Sequence, residues 1–524
     1  MEQTDKDGAG SNNYGSSGNA SAPHVNGYWP DYQVALILVA FALLWVIHLD
    51  STSLSVPTDN IEQLNWVHSI EFGYYKHPPF PTWLFWPLFQ LFGPHGWTTY
   101  IAAAAINLAS FAILWILLKN IRGNRFATLA LLGVLCITYY SMRFHAYNHN
   151  TVLMLVSTVC AALCWRAHVT RKLIWWIALG LVMGIGLLTK YQIAITMVCV
   201  TVFWLTQSGW RDPKQRLGIL LSYLTALIIF VPHVQWLRTH DFGPIAYAVE
   251  SSLGARVGAM QRVTDVVEWL LDQLLNRTLP AWLLLVVAIF VSRKRRPRAT
   301  TFDQNSHQTP LRDSGHYLLL CWGFVPLAFM VLTELVAGSR LNLRWGSPFL
   351  LFVIPSMMEL LTAWISWNSI PTKAVITAFA SVQVLLLCLS YITSPFGPPS
   401  LRERHWRAFD SVTLGRQIEL PMREKLAGRP VCIISGPTYV AGALSLQLAE
   451  RPLVLIDGRL DRSPWIDAKA LKDCAILQLI QGSPLPGSQL VGPSFPKLWW
   501  RVLLPPISLA AGGFVSGEDA YTER

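Results

Sequence analysis

The chain is built from apolar runs too long and too numerous for a water-soluble fold to bury. About eleven can be marked out, at 33–48, 97–118, 126–141, 150–165, 173–189, 191–207, 217–232, 279–292, 316–335, 347–366 and 374–393. A helix needs roughly 20 mostly apolar residues to cross a bilayer. Tilt, and polar residues turned into a bundle interior, bring the shorter runs within reach of that length. Only 14% of the residues are charged and 52% are hydrophobic, whereas about a quarter are charged in soluble domains. The pattern predicts an all-α polytopic membrane protein.

The charge that remains lies in the gaps between the runs. Lys119, Arg122 and Arg125 form one basic cluster, and Arg166, Arg171 and Lys172 a second. Arg211, Lys214 and Arg216 form a third, and Arg293, Lys294, Arg295, Arg296 and Arg298 a fourth. With eleven spans and the N-terminus inside, all four fall on the cytoplasmic side, as membrane topology favours. The net charge of +11 is therefore topogenic, and a nucleic-acid partner is not expected. Residues 1–32 are rich in Gly, Ser and Asn and read as a disordered cytoplasmic N-terminus. No basic segment precedes the first run and no small-residue cleavage site follows it, so it is expected to stay as a spanning helix. Six cysteines lie within apolar runs as small packing residues. Cys432 and Cys474 lie beyond them, in strand-like runs, and would pair only in an oxidising compartment.

Under this topology the polar complexity faces outward. The outer segments are 49–95 and 233–277, both expected to carry outer-loop helices, and the short stretch from Arg143 to His149. A transmembrane catalytic domain is expected over 33–393 and a small extracytoplasmic α/β domain over 394–524. In the latter, "RPVCIISG" and "RPLVLIDG" flank the helical stretch "TYVAGALSLQLAE", a strand–helix–strand pattern. "DCAILQLI" reads as a third strand.

The richest polar stretch is "PTDNIEQLNWVHSIEFGYYKHPPFPTW", residues 57–83. One helical turn puts Asp59 and Glu62 on the same face. Lys76 and His77 follow, before two prolines that start another helix. Sugar transfer from a lipid phosphate needs a carboxylate to deprotonate the acceptor. It also needs donors or cations on the departing phosphate, and aromatic faces beside a sugar or lipid chain. Asp59, Lys76 with His77, and Trp66, Tyr74 and Tyr75 are of those types. A helix cap and an interfacial aromatic belt would use the same residues.

The motifs D-N-x-E-Q and G-Y-Y-K-H-P-P, at this spacing, resemble the first outer loop of the GT-C glycosyltransferases. They are most similar to the dolichyl-phosphate-mannose-protein mannosyltransferase-like group, family 39. That group includes relatives of the lipid A aminoarabinose transferase and of the galacturonosyltransferases that modify lipopolysaccharide core. "YNHNTVL" at 147–153 fits the second outer loop, and "GLVMGIGLLTKYQ" at 180–192 fits a Gly-rich helix ending in a Lys-Tyr pair. The resemblance covers roughly residues 34–240. It implies a GT-C fold with Asp59 as catalytic base. The Glu usual after it is Asn60 here, which joins Asp59 among the catalytic candidates, and Glu62 is the candidate second carboxylate. The acidic residue usual before HPP is Lys76, which argues against a metal there and adds positive charge. Lys190, Tyr191 and Arg344 join Lys76 and His77 as candidates for the donor phosphate and lipid. Arg143, His145, Asn148 and His149 join Tyr74 and Tyr75 as candidates for substrate binding. Arg340 and Trp345 are weaker candidates for the carrier phosphate, and His233, His240 and Glu250 for an acceptor entrance.

The resulting expectation is a membrane glycosyltransferase of the bacterial inner membrane. It takes its sugar from a polyprenyl-phosphate donor and delivers it to an envelope glycan or glycolipid on the extracytoplasmic side. No cofactor is required, and a divalent metal is left open. The alternatives are a protein O-mannosyltransferase, a lipid or glycan transporter or flippase, and an assembly protein that keeps the fold without the chemistry.

Overall fold

The computed structural model describes residues 30–252, 258–293, 310–339, 341–367, 370–403, 405–467, 469 and 474–504. Residues 1–29 of the expected disordered N-terminus and most of the fourth basic cluster lie outside these residues, while Asp31 and Tyr32, expected to be disordered, already belong to the first helix. The chain runs through α1 (Asp31–Ser51), two short helices α2 (Thr58–Trp66) and α3 (Phe80–Phe92), then α4 (Gly96–Arg122), α5 (Asn124–Val134) and α6 (Thr138–Ser141). It continues through α7 (His149–Thr170), α8 (Leu173–Leu187), α9 (Ala194–Thr206), α10 (Pro213–Thr239), α11 (Gly243–Ser252) and α12 (Ala259–Leu271). α13 (Leu279–Arg293), α14 (Pro310–Ala337), α15 (Val353–Leu361) and α16 (Thr372–Ile392) complete the helical body.

Among the described residues, six helices are long and apolar enough to cross a membrane: α1, α4, α7, α10, α14 and α16. α12 and α13 make a seventh if their 47° bend lies within one span. The eleven apolar runs are helical, but length alone does not qualify all of them. α8, the segment Tyr191–Thr206 and the segment Leu350–Leu361 are shorter apolar helices, and the run 126–141 breaks into α5 and α6. The run at 217–232 is longer than its composition suggests, because α10 continues through Pro232 to Thr239. His233 therefore belongs to α10 itself and not to the separate outer segment expected to begin there. α8 and α10 pack closely because small residues let their backbones approach. A Cβ at Gly180 would run into the backbone of Ser222.

The polar contacts sort to two ends. At one end Lys119 pairs with Asp31 at 2.7 Å, and Arg122 with Glu359 at 2.6 Å. There too Ser314 bonds to Gln207 at 2.6 Å, and Arg171 faces Asp212 at 3.6 Å. This end carries the first three basic clusters. At the other end the buried Arg407 side chain donates to Thr52 Oγ1 at 2.7 Å and to the Ser390 carbonyl at 3.3 Å. It thereby ties the exits of α1 and α16 to the C-terminal domain.

That domain consists of α17 (Ser411–Leu426), β1 (Val431–Gly436), α18 (Thr438–Ser445), β2 (Leu453–Ile456), β3 (Ala475–Gln481), β4 (Gln489–Leu490) and β5 (Leu498–Leu503). Its sheet order is β2-β1-β3-β5-β4. β1 pairs in parallel with β2 and with β3, and β3, β5 and β4 are antiparallel. β4, only two residues long, and β5, with the apolar sequence LWWRVL, were not marked out as strands in the sequence. Cys432 and Cys474 form a disulfide, with Cα atoms 5.7 Å apart. Register explains the pairing: Val431 lies opposite Ala475 in adjacent parallel strands. Being strand residues does not prevent the bond, since the neighbouring strand brings the second cysteine alongside.

α2 is wedged between the two bodies. On its membrane-facing side Asn60 is fully buried. Asn60 Nδ2 donates to Thr99 Oγ1 at 2.7 Å and to the His145 carbonyl at 2.9 Å, and Oδ1 accepts from the Tyr147 N–H at 2.8 Å. Gln63 Oε1 accepts from Thr82 Oγ1 at 2.9 Å. On the opposite side Trp66 and Tyr74 belong to the same hydrophobic core as Leu414, Ile418 and Leu444 of the C-terminal domain. A Cβ at Gly442 of α18 would run into Ile61 Cγ2.

Two outcomes follow from this wedge. Asn60→Ala strands the Tyr147 N–H and removes two donated bonds, so the protein loses about 1–3 kcal/mol, read as a lower midpoint of thermal unfolding in detergent. Gly442→Val overfills the α2–α18 contact and costs about 1–3 kcal/mol, read as faster proteolytic release of the C-terminal domain.

Candidate active site

α2 begins after Pro57, without a side-chain cap, and carries Asp59 in its first turn. A carboxylate there is favoured by the exposed N–H groups of the helix start. Asp59 is half-buried, and its Oδ2 accepts from Asn148 Nδ2 at 2.8 Å. Asn148 is also the N-cap of α7, where Oδ1 accepts from the Thr151 N–H at 2.9 Å. Two helix starts, 89 residues apart in sequence, are thus joined at the candidate base.

Lys190 fills the break between α8 and the helical turn before α9. Its Nζ donates to Asn150 Oδ1 at 2.6 Å. Burial pushes its pKa down to about 8, and the nearby Asp59 carboxylate opposes that shift. Arg344 approaches Asp59 from a different loop. Burial first, and then the neighbouring Arg143, hold its pKa below the usual guanidinium value, while Asp59 pulls it back. A lysine and an arginine therefore share the field of one carboxylate.

The diproline turn supplies a different set. Lys76 Nζ donates to Glu62 Oε1 at 2.9 Å. It also lies 5.3 Å from the Tyr75 ring centroid and 5.5 Å from that of Tyr247. Burial raises the Glu62 pKa and Lys76 counters it, while Glu62 helps to hold the Lys76 ammonium well above its ordinary value against burial. Glu62 is thus committed to an ion pair. The His77 and His149 rings are 4.2 Å apart between centroids. Burial, and then His149, Lys190 and Lys76, push His77 well below the ordinary histidine pKa, so at neutral pH it is a neutral hydrogen-bonding group.

The remaining sequence candidates divide by what they touch. The amide of Asn60 is used in the cross-link described above. His145 is buried between Tyr100, at 5.0 Å, and Trp406, at 5.5 Å. Burial, then Arg407 and Arg143, push its pKa down to about 3. Tyr74 stacks on Trp66 at 4.8 Å and its hydroxyl donates to the Ser69 carbonyl at 2.7 Å. Tyr75 lies 5.2 Å beneath the Arg462 guanidinium of the C-terminal domain, and burial pushes its phenol up to about 12. Tyr191 bonds to His233 Nε2 at 2.8 Å. His149 Nε2 is 3.3 Å from the Pro78 carbonyl. His240 stacks on Trp236, Glu250 is exposed, and Trp345 gives its carbonyl to Gln192 at 3.1 Å. Arg340 lies outside the described residues. Asn150, Arg277, Tyr247 and Arg462 were missed. Asn150 sits inside the "YNHN" motif, but the other three reach the region from sequence positions with no motif. Among the described residues, no three His, Cys, Asp or Glu side chains gather as a metal site would require.

A family model described as dolichyl-phosphate-mannose-protein mannosyltransferase matches residues 76–236. The lipopolysaccharide core galacturonosyltransferase RgtA of Rhizobium johnstonii is 24% identical over 80% of this chain and 82% of its own. The undecaprenyl phosphate-alpha-4-amino-4-deoxy-L-arabinose arabinosyl transferase of Erwinia tasmaniensis is 25% identical over 57% of this chain and 55% of its own. Among solved structures, ArnT from Cupriavidus metallidurans bound to undecaprenyl phosphate superposes with a TM-score of 0.58 at 17% identity, over 90% of this chain and 98% of that one. The last of these shares the fold. Taken with the sequence relatives, it marks the chain as a membrane glycosyltransferase similar to the lipopolysaccharide galacturonosyltransferases and to ArnT.

Proposed function

We propose that the chain transfers a sugar from a polyprenyl-phosphate carrier to a hydroxyl of a lipid A or lipopolysaccharide-type acceptor, on the extracytoplasmic side of the inner membrane. The observation that carries this reading is Asp59, oriented by Asn148 and bracketed by Lys190 and Arg344. The names of the relatives, which specify lipopolysaccharide core and undecaprenyl-phosphate-linked sugars, support it.

In the proposed step the acceptor oxygen attacks the anomeric carbon while the bond from that carbon to the phosphate oxygen breaks. Asp59 takes the acceptor proton. The configuration inverts, because a single displacement brings the nucleophile in opposite the leaving group. Lys190 and Arg344 receive the charge that grows on the departing polyprenyl phosphate. His77 acts as a neutral hydrogen-bonding group, and the Lys76–Glu62 pair fixes the turn that carries it.

Two observations support the outer placement. The Cys432–Cys474 disulfide belongs to a domain at the same end as Asp59, and structural disulfides persist in oxidising compartments. The first three basic clusters lie at the opposite end, as cytoplasmic ends do. Eleven crossings are consistent with the ends each helix reaches. α5 leaves the basic end and delivers Thr138 to the Arg277 carbonyl, and α8 leaves it and delivers Lys190 to Asn150. The segment through α15 runs from Ser347, bonded to Tyr140, back to Glu359 on Arg122.

Asp59→Asn and Asp59→Ala, expressed in a deletion strain, are expected to abolish the sugar on envelope glycolipids by mass spectrometry at unchanged protein level. In vitro the loss should be on the order of 10²–10⁴-fold. Full modification by both variants removes Asp59 as the base, and hexose found on a substrate peptide favours protein O-mannosylation. Donor affinity should weaken as pH rises through about 8, where Lys190 loses its proton; an ordinary lysine keeps its charge past 10. Affinity for undecaprenyl phosphate, measured from pH 6.5 to 9.5 in wild type and Lys190→Arg, reads this directly: the arginine variant should show no such decline.

A further inference from the structure

The break between α8 and α9 reaches three other parts of the chain at once. Lys190, Tyr191 and Gln192 stand in a row across it, the last two in a single 3₁₀ turn, Tyr191–Ile193. Such a turn has three residues per revolution, so neighbouring side chains leave it about 120° apart. Lys190 goes to Asn150 in the first turn of α7. The Tyr191 hydroxyl donates to His233 Nε2 at 2.8 Å, and His233 Nδ1 donates to the Phe72 carbonyl of the first outer loop. Gln192 Nε2 donates to the Trp345 carbonyl at 3.1 Å. Among the described residues this is the one bond of the Gln192 amide, whose buried oxygen has no partner there.

Trp345 follows Arg344 in a loop with little regular structure, a single 3₁₀ turn over Leu343–Gly346. Carbonyls shielded from water in such a loop need partners from elsewhere, and side chains supply them in series. The Asn342 carbonyl accepts from Trp269 Nε1 at 3.2 Å, and that of Leu343 from Gln273 Nε2 at 2.8 Å. The Arg344 carbonyl accepts from Ser347 Oγ at 2.7 Å, and the Ser347 carbonyl from the Tyr140 hydroxyl at 2.7 Å. Asn342 Oδ1 accepts from the Arg344 N–H at 2.8 Å. Gly346 lies so close to Gln273 that a Cβ there would overlap its amide oxygen. Trp269, Gln273 and Tyr140 thus hold the loop to α12, to the turn after it and to α6. Among the described residues, Gln192 is the brace that comes from the segment carrying Lys190.

We propose that Gln192 is a positioning residue: through the Trp345 carbonyl it sets the Arg344 guanidinium relative to the Lys190 ammonium, so that both meet one phosphate of the lipid-linked donor. This rests on the transferase reading above. Lys190 and Gln192 belong to one short segment, and Arg344 and Trp345 are adjacent. The path between the two cations is therefore two short backbone stretches joined by one hydrogen bond. A long arginine on a loop that shifts by about 0.5 Å loses the alignment that charge stabilisation at a leaving group requires. Gln192 touches no reacting atom in this role and acts through where Arg344 stands.

The test is a double-mutant cycle on the purified full chain in proteoliposomes. The donor is undecaprenyl phosphate carrying galacturonate or 4-amino-4-deoxy-arabinose, and the acceptor is lipid A. Gln192→Met keeps the length of the side chain and removes its hydrogen-bond donor. It is expected to lower kcat/KM for the lipid-linked sugar about tenfold, the effect of one well-made hydrogen bond. In an Arg344→Gln background the same change is expected to lower it less than about twofold, because the group being positioned is gone. An equal loss in both backgrounds, as a purely structural defect gives, overturns the proposal, and so does no loss in the otherwise wild-type chain. If Gln192→Met does not accumulate as folded protein, Gln192→Asn takes its place under the same criteria; it keeps the amide but withdraws it from the carbonyl by one methylene. A wild type that moves no sugar from either donor overturns the transferase reading alone. In that case, or if Arg344→Gln has no measurable turnover, the cycle is read on undecaprenyl phosphate retained in native mass spectrometry under the same criteria. Retention equal in all four proteins, or absent from the wild type, overturns the positioning role.

Discussion

The Asn148 side chain performs two tasks that the rest of the site depends on. Its oxygen caps α7, and its nitrogen holds the Asp59 carboxylate. The first task fixes where α7 starts, and so where His149 and Asn150 point. The second fixes the carboxylate relative to that start. Lys190 then reaches the same place through Asn150. One amide thus sets the register between the proposed base on α2, a histidine at the head of α7 and a lysine in the α8–α9 break. The amide can do this only because the Asn60 cross-link keeps α2 from sliding along the bundle.

Electrostatics divide the cations near Asp59 by role. Lys76 is paired and stays charged, so it serves as a strut for the diproline turn. Lys190 is desolvated with a neutral amide as partner, so its charge remains available to an incoming anion. His77 and His145 are kept neutral by burial and by surrounding positive charge. Residues of one nominal class thus end in different states, and burial with partner choice decides which.

Much of this was legible in the sequence. The apolar runs and the basic gaps between them gave the helices and the two ends. The HPP turn and the Asp59 spacing pointed to the loop that pairs Lys76 with Glu62 and packs against Asn148 and His149, and the strand–helix–strand pattern to the C-terminal sheet. What the sequence hid were long-range pairings. Glu62 resembled a second catalytic carboxylate because its partner, Lys76, is 14 residues away across a turn. Asn60 sits beside Asp59 and looked like part of the chemistry, yet an α-helix turns adjacent side chains to different faces, and Asn60 points into the bundle. Arg277 and Arg462 carry no motif, since a lone arginine says nothing about which loop will fold toward it. The outer segment is expected to begin at His233 because the apolar run ends at 232, whereas α10 continues through Pro232 to Thr239. Short crossings were hard to count because length is what distinguishes a span from a buried helix, and several helices here are shorter than that measure.

Trp66 and Tyr74 lie in the hydrophobic core of the C-terminal domain, although they belong to the loop that follows α1. The boundary between membrane body and outer domain therefore runs through a shared interior and not along a linker. The sheet domain lacks part of its own filling without that loop, and the loop lacks a backing without the domain. Exchanging the C-terminal domain between relatives would carry a mismatched half-core into the packing of α2. Divergence in this architecture has to proceed by paired changes on both sides of that seam.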